Sequence, residues 1–212
     1  MDREELTSDI TDARIAVDIQ PMRSLHVEDV VQIHIDSFPH DFLPSLGADF
    51  LRTLYRGLMK APSTVSLVAL DKAKVIGFVV GALDTRQLFL QLLRRQGTAL
   101  AWQVLRRMPK HPSILWRTFE AITYPRKEKG DLPKAELVVL AIANGARCQG
   151  LGKALVVRLN AELKPRGITA YKVSTAQDNT RADAFYHKLG FRLEHTFVMH
   201  HRTFNLYTCY FS

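Results

Sequence analysis

The sequence predicts a mixed α/β fold in which about seven strands form one central sheet flanked by helices. Seven segments with the apolar pattern of a strand alternate along the chain with segments of helical spacing. The chain has 212 residues, of which 47% are hydrophobic, and this is enough for one full core. We expect residues 14–212 to form a single domain and residues 1–13 to be a disordered acidic tail.

The first part of the chain contains three predicted strands and two predicted helices. Ser24 is a residue type that caps a helix N-terminus. Pro39 and Pro44 predict a loop, because proline removes a backbone donor and blocks a helix. The patterns give, in chain order, a strand at 13–23, a helix at 24–37, a loop at 38–44, a helix at 47–60 and a hairpin of strands at 64–70 and 75–83.

The C-terminal part contains four predicted strands and two predicted helices. The segment AELVVLAI at 135–142 is continuously apolar, which indicates a central strand that is covered on both faces. Gly190 is expected to end the last helix. The patterns give strands at 135–142, 170–175, 191–199 and 203–211, and helices at 150–163 and 180–189.

Most of the net charge of +8 lies between the third and fourth predicted strands. Residues 84–130 hold ten Lys and Arg against three Asp and Glu. Leu and aromatic residues recur there at helical spacing, so residues 84–133 are predicted to be a helical insertion, which Gly97, Pro109 and Pro112 break into two or three helices. An anionic partner is therefore to be sought first at this segment.

Four interpretations of the insertion stay open. It is a solvated cap on the sheet edge, or a lid whose cations face an anionic acceptor such as a nucleotide-sugar diphosphate. It is a peripheral contact with an anionic membrane, because Leu, Phe and Trp alternate with Arg pairs as in interfacial helices. Nucleic acid is the least favoured partner, because there is little aromatic interleaving and no binding motif.

A glycine-containing turn joins the predicted central strand to the helix that follows it. The turn reads Arg147-Cys148-Gln149-Gly150-Leu151-Gly152, without the third glycine of a dinucleotide fingerprint or the spacing of a Walker loop. Glycines allow a ligand to approach the backbone, and the first N–H groups of a helix attract phosphate. The turn is either a phosphate site or a plain strand-to-helix connection.

A second motif, at residues 179–191, gives the turn its context. With the turn it resembles the GCN5-related N-acetyltransferase (GNAT) superfamily, in which R/Q-x-x-G-x-G/A follows the fourth strand and a later helix carries Asn, A-x-x-F-Y and G-F. The matching residues are Arg147, Gly150, Gly152, Asn179, Ala182, Phe185, Tyr186, Gly190 and Phe191. The resemblance covers residues 14–83 and 134–211, and the insertion departs from it.

This resemblance implies a mixed, mostly antiparallel sheet and acetyl-CoA as cosubstrate. The diphosphate of the coenzyme is expected on the turn, and the pantetheine arm along the free edge of the fourth strand, which in this family splays from the fifth. A backbone N–H of that strand is expected to polarise the thioester carbonyl. The implied coenzyme residues are Leu140, Ala141, Ile142, Arg147, Cys148, Gln149, Gly150, Leu151, Gly152, Lys153, Ala154, Asn179, Phe185 and Tyr186.

Two residues are candidates for the chemistry. Tyr186 is expected to protonate the leaving thiolate, since a phenol with a pKa near 10 stays neutral beforehand; the alternative is a packed aromatic side chain. Glu136 is the candidate base, on a strand face shared with Val138, Leu140 and Ile142, or else a carboxylate at a solvated strand end.

The remaining candidates concern the acceptor pocket and metals. Phe38, His40 and Asp41 are expected to line the pocket. No histidine has metal-ligand spacing with a Cys or carboxylate, so no metal is predicted. Cys148 is expected to fill space in the turn, and no base that would activate it as a nucleophile is evident.

The predicted function is direct transfer of an acetyl group from acetyl-CoA to a primary amine of a small molecule, such as an amino sugar or its nucleotide-linked form. The alternatives are a protein N-terminal or lysine acetyltransferase, and an acyl-CoA-binding module without turnover. The acidic N-terminus lacks a hydrophobic stretch, so the cytoplasm is the expected compartment.

Overall fold

The computed structural model describes residues 17–107, 132–199 and 202–211. The predicted acidic tail lies outside these residues. So does the part of the insertion at 108–131, where its later helices were predicted. The expectation of a single domain over 14–212 stays a prediction.

Seven strands form one sheet in the order β1-β2-β3-β4-β5-β7-β6. Every neighbouring pair is antiparallel except β4 and β5, which are parallel. The predicted mixed, mostly antiparallel sheet is therefore confirmed. The strands are β1 (Asp18–Pro21), β2 (Thr64–Asp71), β3 (Lys74–Ala82), β4 (Glu136–Ile142), β5 (Ala170–Ala176), β6 (Arg192–Met199) and β7 (Arg202–Tyr210).

Helices cover both faces of this sheet. They are α1 (Val27–Ser37), α2 (Phe42–Ser45), α3 (Ala48–Lys60), α4 (Thr85–Arg107), α5 (Leu151–Leu163) and α6 (Thr180–Lys188). On one face, α1, α3 and the start of α4 bury a core that includes Val27, Leu51 and Phe78. On the other face, α5 and α6 bury a second core that includes Leu159 and Tyr171. The central strands are thus covered on both sides, as their apolar pattern predicted.

Two predictions near the first helix are wrong. Ser24 does not cap α1, because residues Ser24–His26 form a 3-10 turn in which the N–H of Arg23 donates to Nδ1 of His26, at 3.0 Å. The predicted loop contains the one-turn helix α2. Pro44 lies within its first turn, where a helix needs no N–H donor from the residue.

The prediction that Gly97 breaks the insertion is also wrong. Helix α4 runs without interruption from Thr85 through Gly97 to Arg107. It begins where Asp84 accepts a hydrogen bond from the N–H of Gln87, at 2.9 Å. A single glycine costs a helix about 1 kcal/mol, and contacts with α3 outweigh that cost. The predicted position of a helical insertion between β3 and β4 is confirmed.

Candidate active site

Strands β4 and β5 separate soon after they meet. Their pairing in the described residues is at Glu136 and Lys172, where the N–H of Lys172 donates to the carbonyl of Ala135 at 3.0 Å. Beyond this point β4 continues to Ile142, paired only with β3 in the described part of the chain. Successive residues of a strand point their N–H and C=O groups to opposite edges, and the N–H of Ala143 donates to the carbonyl of Ile76 on β3. The backbone groups of Leu140 and Ile142 therefore face a gap in the middle of the sheet.

A β-bulge at Val138 changes which way β4 faces. Val80 pairs with Val139, but the next residue, Gly81, pairs with Leu137, so Val138 is the extra residue. Its side chain is 40% exposed, which is unusual in a central strand. The bulge therefore leaves an accessible surface beside the gap.

The bulge overturns the prediction that Glu136 shares a face with Leu140 and Ile142. Glu136 pairs with Ala82, which belongs to the core under α1 and α3. Leu140 and Ile142 pack instead against the core under α5. One inserted residue reverses the alternation of a strand, so Glu136 lies on the face that carries α1.

The carboxylate of Glu136 is held at the start of α4. Oγ1 of Thr85 donates to Oε2 of Glu136 at 2.8 Å, and is 3.3 Å from the carbonyl oxygen of Lys134. The Glu136 residue is half-buried. A hydroxyl donor of this kind fixes the orientation of the carboxylate at the closed end of the gap, where β4 still pairs with β5.

The turn between β4 and α5 has two residues in the left-handed region. Gly150 has φ +76° and Cys148 has φ +66°. A Cβ on Gly150 would meet no atom within 4 Å, so the dihedral angle, not crowding, favours glycine there. Cys148 is exposed, so the prediction that it fills space is wrong.

The first turn of α5 presents backbone donors at this place. The helix begins at Leu151, and its first intrahelical bond runs from the N–H of Ala154 to the carbonyl of Gly150, at 3.1 Å. The N–H groups of residues 151–153 precede that bond, so the helix itself gives them no partner. With the positive end of the helix dipole they suit an anionic group such as a diphosphate.

Gly152 brings α5, α6 and β4 together. A Cβ at this residue would lie 3.1 Å from Cε2 of Phe185 and 3.3 Å from Cδ1 of Ile142. The aromatic ring of α6 therefore occupies the space that the glycine leaves open. This contact puts Phe185 beside the first turn of α5.

Arg147 and Gln149 support the turn from within. Nε of Arg147 donates to the carbonyl of Ile142 at 3.1 Å, and its Nη2 donates to Oγ of Ser37 at 3.2 Å. Nε2 of Gln149 is 3.4 Å from the carbonyl of Gly145. The guanidinium thus joins the end of β4 to the end of α1. Lys153 and Ala154 are exposed on the first turn of α5.

Tyr186 lies at the centre of an aromatic cluster and is 6% exposed. Its ring is 5.2 Å from that of Phe185, 5.1 Å from Phe191 and 6.0 Å from Tyr207, measured between centroids. Burial raises the pKa of the Tyr186 phenol above its usual value. The group therefore carries its proton over the whole physiological pH range.

Asn179 caps α6. Its Oδ1 accepts a hydrogen bond from the N–H of Ala182 at 3.1 Å. The cap uses only the side-chain oxygen of Asn179, so its side-chain nitrogen Nδ2 can donate to another group. Gly190, with φ +81°, follows the end of the helix as predicted.

An ionic bridge crosses from the loop after α1 to β7. Arg202 contacts Oδ1 of Asp41 at 2.7 Å and Oδ1 of Asp178 at 2.6 Å. The hydrogen bond from Arg202 lowers the pKa of Asp178, and the two carboxylates raise the pKa of Arg202. The bridge joins the loop after α1, the connection between β5 and α6, and the start of β7. Arg202 was not predicted as a site residue, because no local pattern marks an arginine whose partner is 161 residues away.

The other two predicted pocket residues differ in their surroundings. The ring of Phe38 packs against that of His34, with 5.2 Å between centroids, and His40 is exposed. The buried polar contact of His34 was not predicted from the sequence. His34 is buried, and its Nδ1 lies 2.5 Å from the hydroxyl of Tyr55, between α1 and α3. Burial lowers the pKa of His34 to about 4.

In residues 17–107, 132–199 and 202–211, no group of three His, Cys, Asp or Glu side chains could hold a metal ion. No helix of this part of the chain is long and apolar enough to cross a membrane.

The fold is that of a family of acetyltransferases. The model of the acetyltransferase (GNAT) family matches residues 27–191, and the chain belongs to this family. It is therefore an acyltransferase that uses acetyl-CoA as the acetyl donor. A search of curated proteins gave no match at the significance required.

Solved structures share the fold at low sequence identity. SsHAT superposes with a TM-score of 0.63 at 20% identity, over 92% of this chain and 98% of that one. The PaiA N-acetyltransferase of Thermoplasma acidophilum, in complex with coenzyme A, gives 0.53 at 13%, over 90% and 98%. The ribosomal-protein-S18-alanine N-acetyltransferase of Escherichia coli gives 0.56 at 13%, over 91% and 92%. These relatives include an enzyme named for a protein acceptor, so the fold does not define the acceptor.

Proposed function

We propose that the protein transfers the acetyl group of acetyl-CoA directly to a primary amine of a small molecule. The observation that carries this proposal is the gap between β4 and β5, which opens next to the glycine turn at the N-terminus of α5. A donor-rich helix end beside an unpaired strand edge suits a ligand that has a diphosphate at one end and an amide-containing arm at the other.

The turn from Arg147 to Ala154 is the proposed diphosphate site. The donors are the N–H groups of residues 151–153, and Lys153 adds an exposed cation at the helix start. Arg147 acts by holding the turn, because its guanidinium already bonds Ile142 and Ser37. Beyond the turn, the N–H groups of Leu140 and Ile142, which point away from β3, face the arm and the thioester carbonyl. The amide nitrogen of Asn179 is a further donor to the arm.

Two side chains move the protons of the reaction. The amine lone pair forms the new C–N bond while the C–S bond breaks. Tyr186 then donates its phenol proton to the departing sulfur, and it recovers a proton from solvent after transfer. Glu136 accepts the proton that the attacking amine must lose, directly or through a water molecule.

The opposite placement of these two groups supports direct transfer. The bulge at Val138 turns Glu136 to the face of α1, whereas Tyr186 belongs to the core under α5 and α6. A base on one side of the gap and an acid on the other fit an amine that enters from one face while sulfur leaves toward the other. No covalent enzyme intermediate is needed.

The ionic bridge supports a small acceptor. By joining Asp41 to Arg202 and Asp178, it ties the loop after α1 to the start of β7. We expect this tether to restrict the acceptor pocket on the α1 side. Arg202 and the two carboxylates together carry one net negative charge, which favours the ammonium group of an acceptor. Amino sugars and their nucleotide-linked forms are the first acceptors to test, and a protein N-terminus or a lysine side chain is the alternative.

The test measures release of coenzyme A thiol from acetyl-CoA in the presence of an acceptor panel that contains amino sugars, nucleotide-linked amino sugars, polyamines and short peptides. We expect release with at least one small amine, and a fall in kcat of about 100-fold or more in Tyr186→Phe. Tyr210→Phe is the matched control, because this tyrosine is 61% exposed at the end of β7.

Three results would contradict the proposal. Turnover with peptides but with none of the small amines would show that the acceptor is a protein or peptide and not a small molecule. An unchanged kcat in Tyr186→Phe would remove the proposed acid. A burst of bound acetyl group on the protein without any amine would contradict direct transfer.

A further inference from the structure

Helix α4 presents an unusual outer surface. One row of residues at i, i+4 spacing contains Arg86, Leu90, Arg94, Thr98, Trp102 and Arg106, all of which are exposed. The adjacent row contains Leu93, Gly97, Ala101 and Leu105, and each is exposed except Gly97, which is intermediate. We call these two rows the outer face of α4. Because residues four apart lie one above the other on a helix, the face is continuous over about 30 Å.

The opposite side of α4 is fixed to the rest of the protein. Leu88 and Leu92 belong to the core under α1 and α3, and Val104 packs with Phe42 and Phe50. Nε2 of Gln103 donates to Oγ1 of Thr53 on α3, at 2.8 Å, and Arg95 donates to the carbonyl of Lys60, at 3.0 Å. These contacts define the inner side of the helix. The outer face is therefore not the side with which α4 packs against the core.

The outer face combines exposed apolar side chains with positive charge alone. Trp102 is 60% exposed, Leu105 51%, Leu93 48% and Leu90 43%. The 23 residues of α4 contain no Asp or Glu. A soluble helix surface normally mixes both signs of charge and exposes few large apolar side chains. Contact with water alone therefore does not explain why α4 exposes this combination of large apolar and positively charged side chains.

We propose that the outer face of α4 binds the surface of an anionic lipid bilayer. Leu90, Leu93, Leu105 and Trp102 enter the boundary between headgroups and acyl chains, and the arginines contact lipid phosphates. Arg86, Arg94 and Arg106 lie in the same row as Leu90 and Trp102, and their long side chains reach upward to the headgroups when the helix lies flat.

The composition of the face favours lipid over the other anionic surfaces. Nucleic acid binding uses cations and polar groups at a largely hydrated interface, and exposed leucines do not serve it. A protein partner would need an acidic and apolar surface of matching shape, whereas a bilayer supplies both properties in its headgroup layer. In this proposal the helix lies flat on the membrane surface.

The test is co-sedimentation of the full chain with vesicles. One set contains phosphatidylcholine alone, and the other contains phosphatidylcholine with phosphatidylserine. We expect binding to the second set, a weaker or absent binding to the first, and loss of binding at high salt. Because the readout is binding without turnover, the result is independent of the proposed acetyl transfer.

Two variants and one control make the test specific. Substitution of Arg86, Arg94 and Arg106 by Gln should lower the partition coefficient about 100-fold, and substitution of Leu90, Leu93 and Leu105 by Gln should abolish binding to both sets. The control replaces Lys72, Lys74 and Arg158 by Gln, which removes the same charge from exposed positions elsewhere. It should retain most of the binding.

A fluorescence measurement locates the contact. The chain has two tryptophans, so Trp116→Phe leaves Trp102 as the only one. Its emission should shift to shorter wavelength when anionic vesicles are added. The proposal fails if the chain sediments with neither vesicle set, if the control loses as much binding as the α4 variants, or if Trp102 emission does not shift while the chain sediments.

Discussion

The ring of Phe185 on α6 lies in the space where Gly152 on α5 has no Cβ, and a methyl group there would be 3.1 Å from Cε2 of the ring. The contact joins the helix that carries Tyr186 to the first turn of the helix that offers backbone donors to a diphosphate. Thus the position of the proposed acid depends on the same glycine as the proposed coenzyme site.

Gly152→Ala should therefore impair coenzyme use more than it impairs folding. The added methyl group must displace Phe185 or the first turn of α5, which costs about 1–3 kcal/mol. We expect the KM for acetyl-CoA to rise about tenfold in a steady-state assay. Gly145→Ala is the control, because a Cβ there meets no atom within 4 Å and φ is not positive. Equal KM values for the two variants would contradict the account.

Gly150→Ala tests the backbone angle of the turn. Alanine at φ +76° is strained by about 1–2 kcal/mol. Gly167 has φ +77° and also has open space around its Cβ position, so Gly167→Ala should lose similar stability in thermal unfolding. Only Gly150→Ala should also weaken coenzyme A binding, measured by calorimetry. Weakened binding in both variants would mean that general destabilisation, not the turn, is responsible.

Arg202→Gln should act on the acceptor and not on the coenzyme. Loss of the bridge frees the loop that carries Asp41, so we expect a several-fold rise in the acceptor KM with an unchanged KM for acetyl-CoA. The stability change should stay below about 1 kcal/mol, because the pairs are partly exposed. Arg52→Gln is a close control, since Arg52 also holds two carboxylates, Glu28 and Asp49. A parallel rise of both KM values in Arg202→Gln would argue against an acceptor role.

The fold was largely predictable because its signals are local. The continuous apolar segment of β4 predicted a central strand, and Gly190 predicted the end of α6. The order of the two motifs predicted the family. Each of these depends on residues within one element or its immediate neighbours.

The details of the site were less predictable because they depend on pairing between distant residues. The bulge at Val138 is a property of the register between β3 and β4, and no residue in β4 marks it. For this reason the prediction of the strand face on which Glu136 lies was wrong. Gly97 was expected to break the helix, but contacts between α4 and α3 stabilise the helix through this residue. Arg202 contacts Asp41 only in the folded chain.

His34 should make the stability of the protein depend on pH. Its pKa in the folded state is about 4, below the usual 6.5, so the unfolded chain binds the proton more readily. Stability is therefore full above pH 6.5 and falls as the pH drops toward 4. Because of His34, the free energy of unfolding should fall by about 2 kcal/mol when the pH is lowered from 7 to 5.

Urea unfolding at these two pH values measures this contribution. His34→Gln should reduce the loss of stability between them, although the variant is less stable at pH 7. His195→Gln, at an exposed position, should leave the pH dependence of the native protein unchanged. The same pH dependence in His34→Gln and in the native chain would rule out His34 as its source.

The distance between the coenzyme sulfur and Oη of Tyr186 in a crystal of the coenzyme A complex tests the central claim most directly. We expect the diphosphate to accept hydrogen bonds from the N–H groups of residues 151–153, and the sulfur to lie within about 3.5–4 Å of the phenol oxygen. Coenzyme bound elsewhere, or a phenol that stays enclosed by Phe191 and Tyr207 far from the sulfur, would contradict it.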